Sequence, residues 1–383
     1  MEASRQITSP SMRFHKATTA SWILCRDTIA DIGYDAHSPD STGTHRGSKE
    51  GLFMSNRNRA SWTGRHPGRW LLAVVLSLGF VVGLAPGLNA QDKPTVAIGS
   101  KNFTEQLIVS EMLAIMLEDA DYEVERKLSL GATGIVHEAL LNGDVDAYVE
   151  YTGTGLLAIL NLPLPAATPG ADSASPAASP GAGMAGVDAV YDIVKSEYAA
   201  QFELAWLDPI GFNNTYTLAL KEETATELGV TTISDLIGKS DDLTFGGTQE
   251  FLTRPDGLPG LTAAYEGLSF GDEKGFEPGL VYSAVDSGDV DIISAFATDG
   301  RIPALGLVLL EDDLGFFPPY YAAPVVRQEL LDEDPAVGEI FNQLAGMIDN
   351  QTMADLNFQV DDGGEEPEDV ARAFLEENGI IGS

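Results

Sequence analysis

Downstream of Ala90 the chain carries one histidine, His137, and no cysteine. Cys25 is the only cysteine, and His15, His37, His45 and His66 all lie upstream. That region therefore cannot build a thiolate nucleophile, a disulfide framework or a Cys/His zinc cluster. A Ser-His-Asp arrangement would have only His137 to draw on. His137 lies in GIVHEALLNGDVD between apolar Val136 and Ala139, which reads as helix packing. No glycine-rich phosphate loop ending in Gly-Lys-Ser/Thr is present. Carboxylates abound: residues 1–90 hold 10 of the 22 Lys+Arg and 6 of the 58 Asp+Glu, so 12 basic and 52 acidic residues follow, a net of −40 (12 minus 52). Paired carboxylates can hydrolyse glycosides, but no pair is singled out by its spacing. The acidity repels nucleic-acid phosphates, weakly attracts cationic solutes, and also suits a surface adapted to salt. Binding is expected rather than catalysis, with no cofactor and no metal.

The elements that would position a binding site alternate. Lys93–Gly99 reads as a strand, and Thr104–Leu117 has apolar residues at helical spacing. Tyr122–Leu128 alternates as a strand. A helix follows GATG (Gly131–Gly134) and ends at Gly143, and DVDAYVEY is a further strand. This β-α-β-α-β order calls for parallel strands and an α/β fold. Pro163–Gly186, rich in Pro, Ala, Ser and Gly, reads as an unfolded surface insertion. Further on come a helix over Val187–Phe202, strands at Thr217–Leu220 and Leu243–Gly247, and a short helix at Thr232–Gly238. ALLNGDVDAY (139–148) is echoed by AVDSGDVDII (284–293), which suggests two lobes of similar build. Extended crossings near Asp208–Asn214 and Gly315–Tyr321, the latter stiffened by Pro318 and Pro319, would form a two-stranded hinge. Two helices, Val337–Ile348 and Pro367–Asn378, finish the chain, joined by TMADLNFQVDDGGE.

The N-terminal region reads as targeting. Trp70–Leu84 is apolar, follows Arg57, Arg59, Arg65 and Arg69, and precedes Leu88-Asn89-Ala90, the layout of a secretory signal cleaved near Ala90. Retention of the run as an anchor is the alternative, although it is short for a span. Residues 54–90 make the better signal when translation starts at Met54, which leaves 1–53 untranslated or disordered. No cysteine stands near the cleavage site to carry a lipid.

Taken in order, GSKNFTEQ (99–106), GATG, EYTGTG (150–155), GFNNTY (211–216), FGGTQEFLTRPDGLPGL (245–261), TDGRI (298–302), LGLVLLEDDLGFFPPY (305–320) and DLNFQVD (355–361) cover about Thr95 to Ile381 apart from the insertion. They resemble the substrate-binding proteins of osmoprotectant ABC importers, the group that captures glycine betaine, choline or carnitine. The resemblance implies a two-lobed periplasmic binding protein fold of type II. Lobe one would be 91–208 plus 322–383, with 163–186 inserted, and lobe two 209–321. It also implies an exported, extracytoplasmic monomer that takes a small quaternary-ammonium ligand and presents it to a membrane permease with a separate ATPase. Such a cation has no N–H to donate, so aromatic faces must hold it, at about 0.5–2 kcal/mol per desolvated ring. The family's four cage positions fall on Tyr151, Tyr216, Phe296 and Tyr320. The third is often tyrosine in relatives and here has lost its hydroxyl. A zwitterion's carboxylate would meet Lys101, the Thr154 hydroxyl and the helix start at Thr133, which favours glycine betaine over choline. Tyr148, Tyr282 and Tyr321 are assigned to packing, Arg301 to an ion pair as readily as to the ligand, and Gln106 to solvent or a helix cap. A receptor for an amino acid or another polar solute is the alternative on the same fold. It would need an Arg beside an acid in place of rings.

Overall fold

The computed structural model describes residues 93–165 and 187–382. The expected signal segment (54–90), residues 1–53 and the insertion from residue 166 onward lie outside the described residues. The strands are β1 (Val96–Lys101), β2 (Val124–Gly131), β3 (Ala147–Tyr151), β4 (Leu204–Trp206), β5 (Tyr216–Lys221), β6 (Thr244–Thr248), β7 (Asp272–Phe276), β8 (Ile292–Phe296), β9 (Leu307–Leu309) and β10 (Ala322–Arg327). They form two five-stranded sheets, ordered β2-β1-β3-β10-β4 and β7-β6-β8-β5-β9. In each, the first three strands run parallel, and the last two pair antiparallel with their neighbours. The two sheets thus share one topology, each in its own lobe.

The Gly-Asp-Val-Asp echo has a physical basis. In lobe one the Asp146 carboxylate accepts from Ala97 N at 2.9 Å, and Asp146 N donates to Ala97 O. In lobe two Asp291 accepts from Thr244 N at 2.8 Å and donates to Thr244 O. Each aspartate caps the first residues of the central parallel strand. Valines next to them fill the space over glycines in those strands: a Cβ on Gly99 would lie 3.0 Å from Val145, and one on Gly246 3.0 Å from Val290. A short turn between helix and strand thereby fixes the register of both sheets.

The helix Thr104–Asp119 buries twelve of its sixteen residues. It is apolar nearly all round because it lies between the lobe-one sheet and the C-terminal helices. One of those helices overturns an expectation. The stretch 352–365, read as a connection, instead carries most of the helix Asn350–Asp361. Its apolar content is slight, so the hydropathy pattern is faint. The Asp349 carboxylate caps it by accepting from Thr352 N at 2.8 Å. Met353, Leu356 and Asn357 form its narrow buried stripe. Val337–Ile348 is correspondingly shorter, a helix over Ala336–Phe341 and a 3-10 turn over Asn342–Leu344.

The chain passes between the sheets twice, after β4 and before β10, and the two passages pair. Asn214 N donates to Tyr320 O at 3.0 Å, Asn213 bridges Tyr321, and Tyr320 N donates to Asn213 Oδ1 at 2.7 Å. Gly211, on the first passage, has φ +130°, and a Cβ there would lie 2.7 Å from the Ile348 carbonyl oxygen. An L-residue is strained in that conformation and the neighbouring atoms are backbone. Gly211→Ala is expected to cost about 1–3 kcal/mol and to lower the melting temperature by about 2–9 °C, read by calorimetry. An unchanged transition would contradict the close passage.

Candidate functional site

Tyr151 ends β3, Tyr216 begins β5, Phe296 ends β8, and Tyr320 precedes β10, so four strand ends turn their rings toward the seam between the lobes. All four line one cavity, with Phe103, Asn214, Lys101, Thr133, Thr154, Glu250 and Arg254. The rings form an arc. Tyr151 and Phe103 have centroids 6.3 Å apart, Phe103 and Phe296 6.0 Å, Phe296 and Tyr216 4.9 Å, and Tyr216 and Tyr320 5.4 Å. Phe103 was not anticipated. It precedes the Thr104–Asp119 helix, where an aromatic reads as ordinary packing, yet it bridges the lobe-one and lobe-two rings. Tyr151, Tyr216 and Tyr320 are buried. Burial raises all three phenol pKa values, so they stay neutral. The cavity is small, about 30 Å³, room for about two waters.

Each ring is held by its polar end or its backbone. The Tyr151 hydroxyl donates to Glu105 at 2.7 Å and accepts from Gln106 Nε2 at 3.0 Å. Gln106 is fully buried, contrary to the expectation that it faces solvent or caps the helix. The Tyr320 hydroxyl donates to Asp256 Oδ2 at 2.7 Å. Phe296 N donates to the Tyr282 hydroxyl at 3.1 Å, and Thr152 ties the start of the turn after β3 to Pro319 and Tyr321. Tyr148 donates to Glu150 beneath the site.

The charged groups are paired. Lys101 lines the cavity as anticipated, but its ammonium lies 2.6 Å from the buried Glu150 carboxylate, and 5.1 Å from the Tyr151 ring centroid. Its charge is balanced by the protein before any solute arrives. Arg254, unanticipated because Arg-Pro-Asp-Gly reads as a turn, is a second cation at the cavity. It pairs with Asp256 at 2.5 Å, donates to Thr154 Oγ1 at 3.1 Å, and lies 5.9 Å from the Tyr216 centroid. Thr133 N, at the start of the Thr133–Leu141 helix, donates to Glu250 Oε1 at 3.0 Å, while its buried hydroxyl lacks a partner. The Arg254–Thr154 and Glu250–Thr133 contacts run from lobe two to lobe one, so the lobes touch. Arg301 pairs with Asp299 and Asp361 and stands over Tyr282, away from the arc. His137 packs edge-on against Tyr198 and Phe202.

Residues 94–377 match the family described as the substrate binding domain of ABC-type glycine betaine transport systems. The chain is 34% identical over 302 residues to the carnitine transport binding protein OpuCC of Listeria monocytogenes, covering 76% of this chain and 90% of that one. It is 35% identical over 313 residues to a glycine-betaine-binding protein of Pseudomonas aeruginosa, covering 79% and 92%. Ergothioneine transport permease/ergothioneine binding protein EgtU of Helicobacter pylori is 34% identical over 306 residues. That match covers 80% of this chain, which spans about half (51%) of that relative's length. Among solved structures, one described as a glycine betaine/carnitine/choline ABC transporter superposes with a TM-score of 0.58 at 32% identity, covering 74% of this chain and 99% of that one.

Asp256 supports a guanidinium and a ring at once. Removing one partner of a buried ion pair typically costs about 3–5 kcal/mol. Asp256→Ala is therefore expected to lower unfolding free energy by about 3 kcal/mol or more, measured by urea titration followed by circular dichroism. A loss under about 1 kcal/mol, the level of an exposed pair, would contradict the buried arrangement.

Proposed function

This chain belongs to the substrate-binding domains of ABC-type glycine betaine transport systems, and from that premise we propose that its interlobe arc captures a quaternary-ammonium solute, with glycine betaine favoured. The observation that carries the reading is the convergence of Tyr151, Tyr216, Phe296 and Tyr320, with Phe103 between them, on one cavity. A methylated ammonium spreads its charge over carbon and offers no donor, so ring faces and methyl contact must replace its hydration. Carboxylates and N–H groups cannot do this with direction. Strongly hydrated small ammonium ions lose more water than the rings return and are rejected.

The solute's carboxylate would meet Arg254 beside Thr154. Two of the guanidinium's nitrogens, Nε and Nη2, are used by Asp256 and Thr154, and Nη1 makes no hydrogen bond among the described residues. Lys101 and Thr133 add positive potential and a hydroxyl at the same cavity. Because the closed cavity is small, the solute enters while the lobes are apart and is enclosed as they meet. In this reading the loaded protein is an extracytoplasmic monomer that delivers to a membrane permease driven by a separate ATPase. Among the described residues no helix is long and apolar enough to cross a membrane. A receptor for an unmethylated amino acid is a second reading. It is favoured by Glu250 and Arg254 lining the same cavity, but Glu250 already accepts from Thr133 N.

Isothermal titration with glycine betaine, choline, carnitine, proline betaine, ergothioneine, glycine and lysine separates these. Saturable binding of at least one methylated ammonium is expected. Tyr151→Ala and Tyr320→Ala should each raise its Kd by about five- to thirtyfold, or about 1–2 kcal/mol per ring. Binding confined to the unmethylated amino acids, with the alanine variants unaffected, would overturn the proposal, as would no binding by folded protein.

A further inference from the structure

Behind the arc lies a carboxylate that no ligand role explains. Glu105 stands in the first turn of the Thr104–Asp119 helix and is buried, with 3% of its surface exposed. Its Oε1 accepts from the Tyr151 hydroxyl at 2.7 Å and from Asn214 Nδ2 at 2.7 Å. Its Oε2 accepts from Thr298 Oγ1 at 2.6 Å and from Asn357 Nδ2 at 3.2 Å. Among the described residues no cation contacts it. Lys101 is committed to Glu150, and Arg301 to Asp299 and Asp361. A buried charge is tolerated only when hydrogen bonds replace its hydration, and here four dipoles do so.

Those four donors come from four places. Tyr151 is itself a ring of the arc. Asn214 lies on the first crossing, two residues before Tyr216, and its backbone N–H binds Tyr320 O. Thr298 lies in lobe two, two residues after Phe296. Asn357 belongs to the helix Asn350–Asp361 and also donates to Thr298 O at 2.9 Å. One carboxylate therefore touches the support of every ring in the anticipated set, and its full complement of donors exists only while lobe two rests on lobe one.

We propose that Glu105 is the positioning residue that couples lobe closure to assembly of the aromatic arc, holding all four ring-bearing segments in register around the bound cation. The inference rests on the reading of the cleft as a quaternary-ammonium site. Two effects follow. Opening the lobes removes Thr298 from Oε2, so closure and ring placement occur together. In addition, the phenol that donates to a carboxylate is polarised toward its ring, which deepens the negative face that a cation meets. The carboxylate contributes this at a cost to the fold. Burial pushes its pKa above the ordinary carboxylate value, against the opposing pull of Thr298, Tyr151, Asn357 and Asn214. A group whose folded pKa is raised stabilises the fold at low pH and loses that contribution as pH rises through the folded value. Above that folded value the ionised Glu105 serves closure at the expense of stability.

Glu105→Gln tests this in the full exported chain at neutral pH, with choline and glycine betaine as probes in titration and stopped-flow binding. The expected result is a Kd about tenfold higher or more, mainly through faster dissociation, while the melting temperature of the solute-free protein does not fall. Thr298→Val, which removes only the lobe-two arm, should change affinity in the same direction by a smaller factor, and it decides the matter if the glutamine variant fails to fold. Wild-type Kd and dissociation rate in both variants would overturn the proposal. So would an affinity loss accompanied by a matching drop in melting temperature, since that marks a merely structural carboxylate. Failure of the wild-type protein to bind either probe would instead overturn the cleft assignment itself.

Discussion

The rings that meet at the cavity are carried by two separate sheets, and their faces converge because two extended passages of chain pair with each other between those sheets. Asn214 N to Tyr320 O, the Asn213–Tyr321 bridge and Tyr320 N to the Asn213 side chain fix that pairing. Tyr216 and Tyr320 sit at its two ends, so the joint and the site share residues. A rotation about the joint moves Phe296 relative to Tyr151 and opens the arc between Phe103 and Phe296, where lobe one meets lobe two. The passage between the sheets and the arc of rings thus share one short stretch of backbone.

The charged groups around the arc are partnered within the protein. Lys101 is paired with Glu150 and Arg254 with Asp256, and Glu105 is hydrogen-bonded by four donors. This pairing leaves the ring faces as most of the uncommitted surface among the cavity's side chains. Such a lining suits a guest that brings charge without donors, because the charged side chains in the wall are already partnered, while the buried Thr133 hydroxyl lacks a hydrogen bond. Where a carboxylate is present, the free side of Arg254 faces the same space.

Much of this was legible in the chain. The Gly-Asp-Val-Asp echo foretold two similar lobes, and the structure gives its reason in the aspartate caps of β1 and β6. The four ring positions came from the family resemblance rather than from spacing, and all four line one cavity. What was hidden depended on partners remote in sequence. Phe103 looks like a packing residue until the lobes touch. Glu105 and Gln106 look like the solvated start of a helix, because nothing local tells that Tyr151, Asn214, Thr298 and Asn357 will cover them. Arg254 and Asp256 sit in what reads as a turn. The Asn350–Asp361 helix has only a narrow apolar stripe, so its periodicity is faint. β7 is mostly exposed, and Asp272–Phe276 carries little of the hydrophobic alternation that marks a half-buried strand. Lys101 lines the cavity, whereas its pairing with Glu150, 49 residues away, could not be seen from either segment.

The most direct measurement is a crystal structure of the protein grown with glycine betaine. The account predicts the trimethylammonium nitrogen within about 6 Å of the centroids of Tyr151, Tyr216, Phe296 and Tyr320, with the carboxylate toward Arg254 and the lobes closed. A solute seated elsewhere, or lodged between Glu250 and Arg254 with the ring faces in contact only with water, would contradict it.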